Sequence, residues 1–159
     1  MQGDAKVIEF LNRALTNELT AINQYWLHYR TLHHWGVARL AEKERAESID
    51  EMKHADKLAD RVLFLDGLPN FQAIGKLKVG ETVEEILRAD LALEMEAIPL
   101  LRDAIQHCEQ VRDYVSRELF EEILESEEEH VDFLETQFDM IARMGLQNYV
   151  QLQGKPAED

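Results

Sequence analysis

The sequence contains one cysteine, Cys108, so no intrachain disulfide can staple it and the fold must hold by packing. Positive charge is also scarce. Lys and Arg number 17 against 32 Asp and Glu, a net charge of −15, so a nucleic-acid groove or an anionic membrane surface would repel the molecule and cations are its natural partners. Long apolar runs are missing: Val62-Leu63-Phe64-Leu65 is bounded by Arg61 and Asp66, far short of the ~20 residues a membrane-spanning helix needs. No apolar signal core follows Met1, and a reducing cytoplasm is the expected location. Glycine (7) and proline (3) are sparse, leaving residues 4–35, 37–66 and 81–144 free of glycine and rich in Leu, Ala, Glu, Arg and Met. Long helices follow from that composition. With 45% hydrophobic residues in 159, the chain suits a single globular domain burying about 70% of its unfolded surface.

Capping chemistry divides these stretches into helices. Asp4 is an N-cap for the first, and Gly36 ends it or turns it into the second. Gly67 and Pro69 close the second helix at about Asp66, and residues 67–80, with three glycines, read as a long crossover. Thr82 and Glu85 form a capping box that starts the third. Asp113 is the expected N-cap of a fourth, Gly145 its stop, and Leu146 to Leu152 a short fifth helix. The expected fold is an all-α antiparallel four-helix bundle over residues 1–153, with a disordered tail over 154–159.

Apolar spacing shows what these helices bury. Leu11, Leu15, Glu18, Ile22, Tyr25 and Tyr29 recur at alternating intervals of three and four, the seam of a bundle with a carboxylate inside it. Leu87, Leu91, Glu94, Ile98, Leu101 and Ile105 repeat the pattern. Phe120, Leu124, Glu127, Val131, Leu134, Phe138 and Ile141 form a third such seam. The second helix follows Leu40, Glu44, Glu47, Glu51, His54 and Leu58, polar where a core should be apolar.

Two motifs stand out against this background. Glu51-Met52-Lys53-His54 and Glu127-Glu128-Glu129-His130 each place a carboxylate and an imidazole on one helix face, close enough to share a metal. Either alone is common on charged helices. Glu18 to Glu51 and Glu94 to Glu127, however, span the same interval of 33 residues, so a lone seam Glu followed by Glu-x-x-His occurs twice, an internal repeat of two helix pairs. Four carboxylates and two neutral imidazoles balance two divalent cations, and without metal the carboxylates must take up protons or move apart. Oxygen and nitrogen donors without thiolate admit Fe, Mn or Zn, and a carboxylate-bridged pair favours iron chemistry with oxygen or peroxide. This is the donor pattern of ferritin-like di-metal bundles.

At these residues the chain resembles the bacterioferritins. The resemblance runs from Met1 to about Gln153, including Asn17-Glu18-Leu19 with Ala21 and Gln24-Tyr25, Glu47 to Asp56, Leu63 to Asn70, and Asp132 with Leu134-Glu135-Thr136. His130 makes it more similar to bacterioferritins than to animal ferritins, which lack the second histidine. The resemblance implies a 24-subunit homo-oligomeric shell built from dimers, ferroxidase activity on Fe(II) with O2 or H2O2 at a di-iron centre, and ferric mineral stored inside. It implies that Glu18 and Glu94 bind one iron each, that Glu51 and Glu127 bridge, and that His54 and His130 each give one nitrogen. Tyr25, on the same seam as Glu18, is then a hydrogen-bond donor or local electron source. Met52 points about 100° away from Glu51, outward, and the resemblance makes it the ligand of a b-type haem shared between two subunits. A small ferredoxin is the implied reductant for iron release, with Leu68, Glu81 and Glu85 as contacts.

Some positions depart from the best-known members. Ala46 replaces a histidine that with Asp50 forms an inner-wall iron site, while Leu58 and Phe133 replace aromatic Tyr and Trp. Pro99 is expected to kink the third helix, because it lacks an amide donor and crowds the Met95 carbonyl. His28, His33 and His34 read as surface or interface histidines, Glu121, Glu122, Glu125, Glu128 and Glu129 as a solvated face, Trp26 and Trp35 as interface or core aromatics, and Cys108 as core. Two other classes compete: a stand-alone di-iron oxidase or peroxidase with the same donors, and a structural or haem-carrying shell subunit with an inactive centre. A rubrerythrin-like peroxidase usually adds a Cys-x-x-Cys domain, which one cysteine cannot supply.

Overall fold

The computed structural model describes residues 1–155; the part of the expected tail from residue 156 on lies outside the described residues. Five helices follow one another with no strand among the described residues: α1 Ala5–His34, α2 Ala38–Phe64, α3 Val83–Val111, α4 Tyr114–Met144 and α5 Leu146–Gln153. Their ends obey local chemistry. Asp4 accepts from the Lys6 and Val7 amides, and Thr82 accepts from the Glu85 amide. The Glu85 carboxylate reaches back one residue further than a capping box requires, accepting from the Glu81 amide at 2.9 Å. Gly36 and Gly145 hold φ of 81° and 82°, the left-handed region that glycine occupies without a Cβ clash, where the chain turns into α2 and α5. Asp113 caps α4 and also binds Arg61 at 2.9 Å, tying the end of α2 to the start of α4.

Packing is most extensive between α1 and α2 and between α3 and α4, while α1–α3 and α2–α4 contacts close the bundle. One apolar cluster at one end includes Leu11, Leu15, Leu58, Leu101, Cys108 and Phe120; another includes Leu32, Leu40, Leu87, Leu134 and Tyr149. Between them lies a buried polar layer. Its side chains come from all four long helices.

The crossover is strapped to α1. Asn12 donates to the Leu68 carbonyl at 3.1 Å and accepts from the Asn70 amide at 2.9 Å. Further along, the amides of Gly75, Lys78 and Gly80 donate to Thr20 Oγ1, Gln24 Oε1 and His28 Nε2 at 2.8, 2.9 and 3.1 Å. Side chains spaced by whole helical turns thus satisfy the amides of a segment that has no ladder of its own, each bond contributing about 1 kcal/mol net.

Pro99 does not end α3, which is continuous from Val83 to Val111. The missing amide faces solvent: Pro99 and Met95 are both exposed, so water can satisfy the freed Met95 carbonyl while Leu93, Ile98 and Leu101 hold the helix in the core.

Candidate metal centre

Each seam carboxylate lands inside the bundle because its helix buries the residues one turn before and after it. Glu18, between Leu15 and Ala21, is 3% exposed, and Glu94, between Asp90 and Ile98, is 1% exposed. Glu51 and Glu127 are likewise buried, and the more open His54 is 8% exposed. One ligand atom each of Glu18, Glu51, His54 and Glu127 lies within 4.8 Å of the others. His54 Nδ1 faces Glu18 Oε2 at 3.6 Å and Glu51 Oε1 and Glu127 Oε1 at 3.7 Å. These distances are too long for hydrogen bonds and leave room for a shared cation. Glu94 and His130 stand beside this group as a second pair, His130 Nδ1 to Glu94 Oε1 at 3.2 Å, with Glu47 Oε2 at 3.8 Å from the same nitrogen.

The polar atoms at this centre are poorly satisfied by protein alone. Glu18 Oε2, His54 Nδ1, Glu94 Oε2 and Glu127 Oε1 are buried without a hydrogen-bond partner among the described residues. Orphaned atoms of this kind cost 1–3 kcal/mol or more each, by order of magnitude, unless a ligand takes them. The donor set therefore fits a pair of divalent cations in chemistry and in number.

Charge confirms the strain. Burial pushes the Glu18 carboxyl up to about 8; a hydrogen bond with Glu51 opposes the rise and the charge of Glu94 adds to it. Burial and the charge of Glu18 hold Glu51 well above the carboxylate range. For His54, burial disfavours the charged ring, but the nearby carboxylates, Glu51 foremost, outweigh it and raise the pKa. His130 is raised in the same way by Glu94 and Glu47 against the effect of burial. Glu18 and Glu51 thus hold protons that a bound cation would displace.

Tyr25 is fully buried and its hydroxyl donates to Glu94 Oε1, while its ring meets His130 edge-on at 5.2 Å between centroids. Burial and the charge of Glu94 hold the phenol protonated well above its usual range. Met52 points outward as expected, 53% exposed, beside an apolar groove formed with Ile22, Trp26, Leu27 and Ile49. A cleft lined by Asp50, Lys53, Lys57 and Glu122 reaches His54 from the surface.

The family is now decidable. The ferritin-like domain family matches residues 8–144. The chain is 52% identical to the bacterioferritin of Brucella melitensis biotype 1 over 159 residues, covering 100% of this chain and 99% of that one. It is 51% identical to the bacterioferritin of Rhodobacter capsulatus over 158 residues (99% and 98%) and 50% identical to that of Mycobacterium leprae over 149 (94% of each). The chain belongs to the bacterioferritin family. Its bundle, with a short fifth helix and no helix among the described residues long and apolar enough to cross a membrane, is that of a ferritin-like protein.

Other residues divide cleanly. His33, His34, Glu121, Glu122, Glu125, Glu128 and Glu129 are exposed, Trp26 and Trp35 are each 42% exposed, and Cys108 is in the core. His28 corrects its expected surface placement: it is 0% exposed, held by Asp90 and the Gly80 amide. Its partners Asp90 and Glu44, both buried, complete a second group of His28, Glu44 and Asp90 within 4.8 Å. Glu44 was visible as a polar residue in the α2 register, whereas nothing in the local sequence marks Asp90 as inward.

Proposed function

We propose that this protein is an iron-storage ferroxidase: it binds Fe(II) as a pair between its four long helices, oxidises it with O2 or H2O2, and retains the ferric product inside a shell of its own copies. The observation that carries this reading is the set of orphaned oxygen and nitrogen atoms on Glu18, His54, Glu94 and Glu127, buried together with Glu51 and His130. Fe(II), the substrate, enters through the cleft at Asp50 and Glu122, whose charges draw cations toward His54, the most exposed of the six. Glu18 and Glu94 each hold one ion, Glu51 and Glu127 lie between the two, and His54 and His130 supply one nitrogen each. Four carboxylates neutralise two divalent cations, and Glu18 and Glu51 release the protons that burial otherwise forces upon them. Tyr25 keeps Glu94 oriented through its hydroxyl.

Haem would add an electron path for reductive release. Met52 and the apolar groove of Ile22, Trp26, Leu27 and Ile49 fit a thioether-ligated macrocycle shared with a second copy. The shell is a 24-mer assembled from such dimers. Exposed Leu68, Glu81 and Glu85 offer a surface to a small ferredoxin, and the work is cytoplasmic. The test is anaerobic Fe(II) loading followed by oxygen, recording ferric absorbance and iron per subunit. Rapid oxidation with many irons retained per subunit supports storage; two irons and no further uptake would make this a discrete di-iron oxidase. Equal oxidation rates in wild type and Glu18→Ala would remove the paired-iron site.

A further inference from the structure

We infer that Glu44 and Asp90 share a single proton in the folded protein, closing the His28–Glu44–Asp90 group into a positioning cluster that admits no metal. The three side chains come from three helices and are 0%, 2% and 0% exposed. Asp90 Oδ1 is doubly served, by His28 Nδ1 at 2.8 Å and by Gln24 Nε2 at 3.0 Å. Asp90 Oδ2 and Glu44 Oε2 have no donor among the described residues. Two adjacent buried carboxyls without a donor between them need either a proton or a cation.

His28 decides which. The Gly80 amide donates to Nε2, so that nitrogen presents its lone pair and the proton of the neutral ring sits on Nδ1, where it donates to Asp90. For Nδ1 to ligate a cation, the ring would have to place its proton on Nε2, directly against the Gly80 N–H. Gln24 is fixed in the same manner: Oε1 accepts from the Lys78 amide, which turns its NH2 group onto Asp90. A cation would find only two carboxylate oxygens. One proton on Glu44, donated to Asp90 Oδ2, satisfies both orphans at once.

Glu44 is the protonated partner because Asp90 has two donors supporting its charge and Glu44 has none. Burial and the adjacent Asp90 raise Glu44 well above the carboxylate range; burial also works against ionised Asp90, but hydrogen bonds from Glu44, His28 and Gln24 hold it low. The other titratable groups facing the pair are Tyr25 on α1, Glu47 and Lys43 on α2, Tyr149 on α5 and His130 on α4; Lys43 favours the ionised form of Glu44 and Glu47 opposes it. The cluster joins the crossover, through Gly80 and Lys78, to α1, α2 and α3, with Asp90 one turn before Glu94 and Glu44 one turn before Glu47. It therefore sets how the helices that carry the metal centre sit against the crossover.

Infrared difference spectroscopy on the zinc-loaded protein tests this. Wild type minus Glu44→Gln at pH 7 should show one protonated-carboxyl band that shifts in D2O. Glu44→Gln keeps the donor to Asp90, so its melting temperature at pH 7 should match wild type. Asp90→Asn, which can donate to an ionised Glu44 while still accepting from His28 and Gln24, should also abolish the band and covers the case of a poorly folding first variant. Zinc per subunit should be equal in all three proteins. Absence of the band, or the loss of one zinc equivalent in Glu44→Gln, overturns the inference; because the metal-centre residues are unchanged in these variants, neither result bears on the paired-iron site.

Discussion

The molecule buries two groups of carboxylates around histidine, and they are built for opposite ends. At Glu18, Glu51, His54 and Glu127 the imidazole Nδ1 faces three carboxylates at 3.6–3.7 Å, and no backbone donor or acceptor among the described residues reaches it. At His28, Glu44 and Asp90 both ring nitrogens are engaged, one by a backbone amide and one by a carboxylate. Both groups set carboxylates around a histidine. The difference lies in what the backbone does to the histidine: an amide from the crossover fixes one tautomer and closes the second group, while the first is left short of partners that only a cation can supply.

The largest expected contrast is in activity. Glu18→Ala or His54→Ala should slow Fe(II) oxidation by roughly 100-fold or more, because each removes a direct ligand, whereas Glu44→Gln should leave the rate within about twofold. Comparable losses in both groups, measured by ferric absorbance, would erase the distinction. Next in size is metal-dependent stability. Saturating Zn(II), a redox-silent probe, should stabilise the fold by about 2.7 kcal/mol at a hundredfold excess over Kd, which for a domain this size raises the melting temperature by roughly 5–10 °C. His54→Ala should lose most of that gain, and Glu44→Gln none of it.

A pH series sharpens the comparison further. Glu18 has its folded pKa raised from 4.5 to about 8, so the stability it supports is complete below about 4.5 and is lost as pH rises through about 8. The metal-free melting temperature should therefore fall across that window, and zinc, which takes the place of the proton, should flatten the curve. A metal-free profile that rises instead would contradict the assigned burial of charge. The smallest effect belongs to Tyr25→Phe. Loss of its hydrogen bond to Glu94 should cost about 1 kcal/mol and weaken metal binding by a few-fold, seen by calorimetric titration.

The open group was legible from sequence and the closed one was not, for a physical reason. Glu18, Glu94 and Glu127 interrupt seams of period three and four, and such interruptions are visible because burying them without a partner is expensive. His28 falls off the Tyr25–Tyr29 seam, and its partners are Asp90, 62 residues away, and a backbone amide, which no side-chain pattern announces. The strapping of the crossover was hidden similarly. Asn12, Thr20 and Gln24 look like the polar face of a helix, and only the path of the crossover beside α1 shows that they satisfy its amides. Pro99 was legible as a missing amide donor; that α3 runs on through it to Val111 rests on the packing of Leu93, Ile98 and Leu101, which the local rule does not contain.

The most direct test of the central claim is anomalous diffraction at the iron edge from crystals soaked anaerobically in Fe(II). Two peaks per subunit are expected, one within reach of Glu18 and His54 and one within reach of Glu94 and His130, with no peak between Glu44 and Asp90. A density map with no iron among those six side chains, or with iron held by Glu44 and Asp90, would contradict the account.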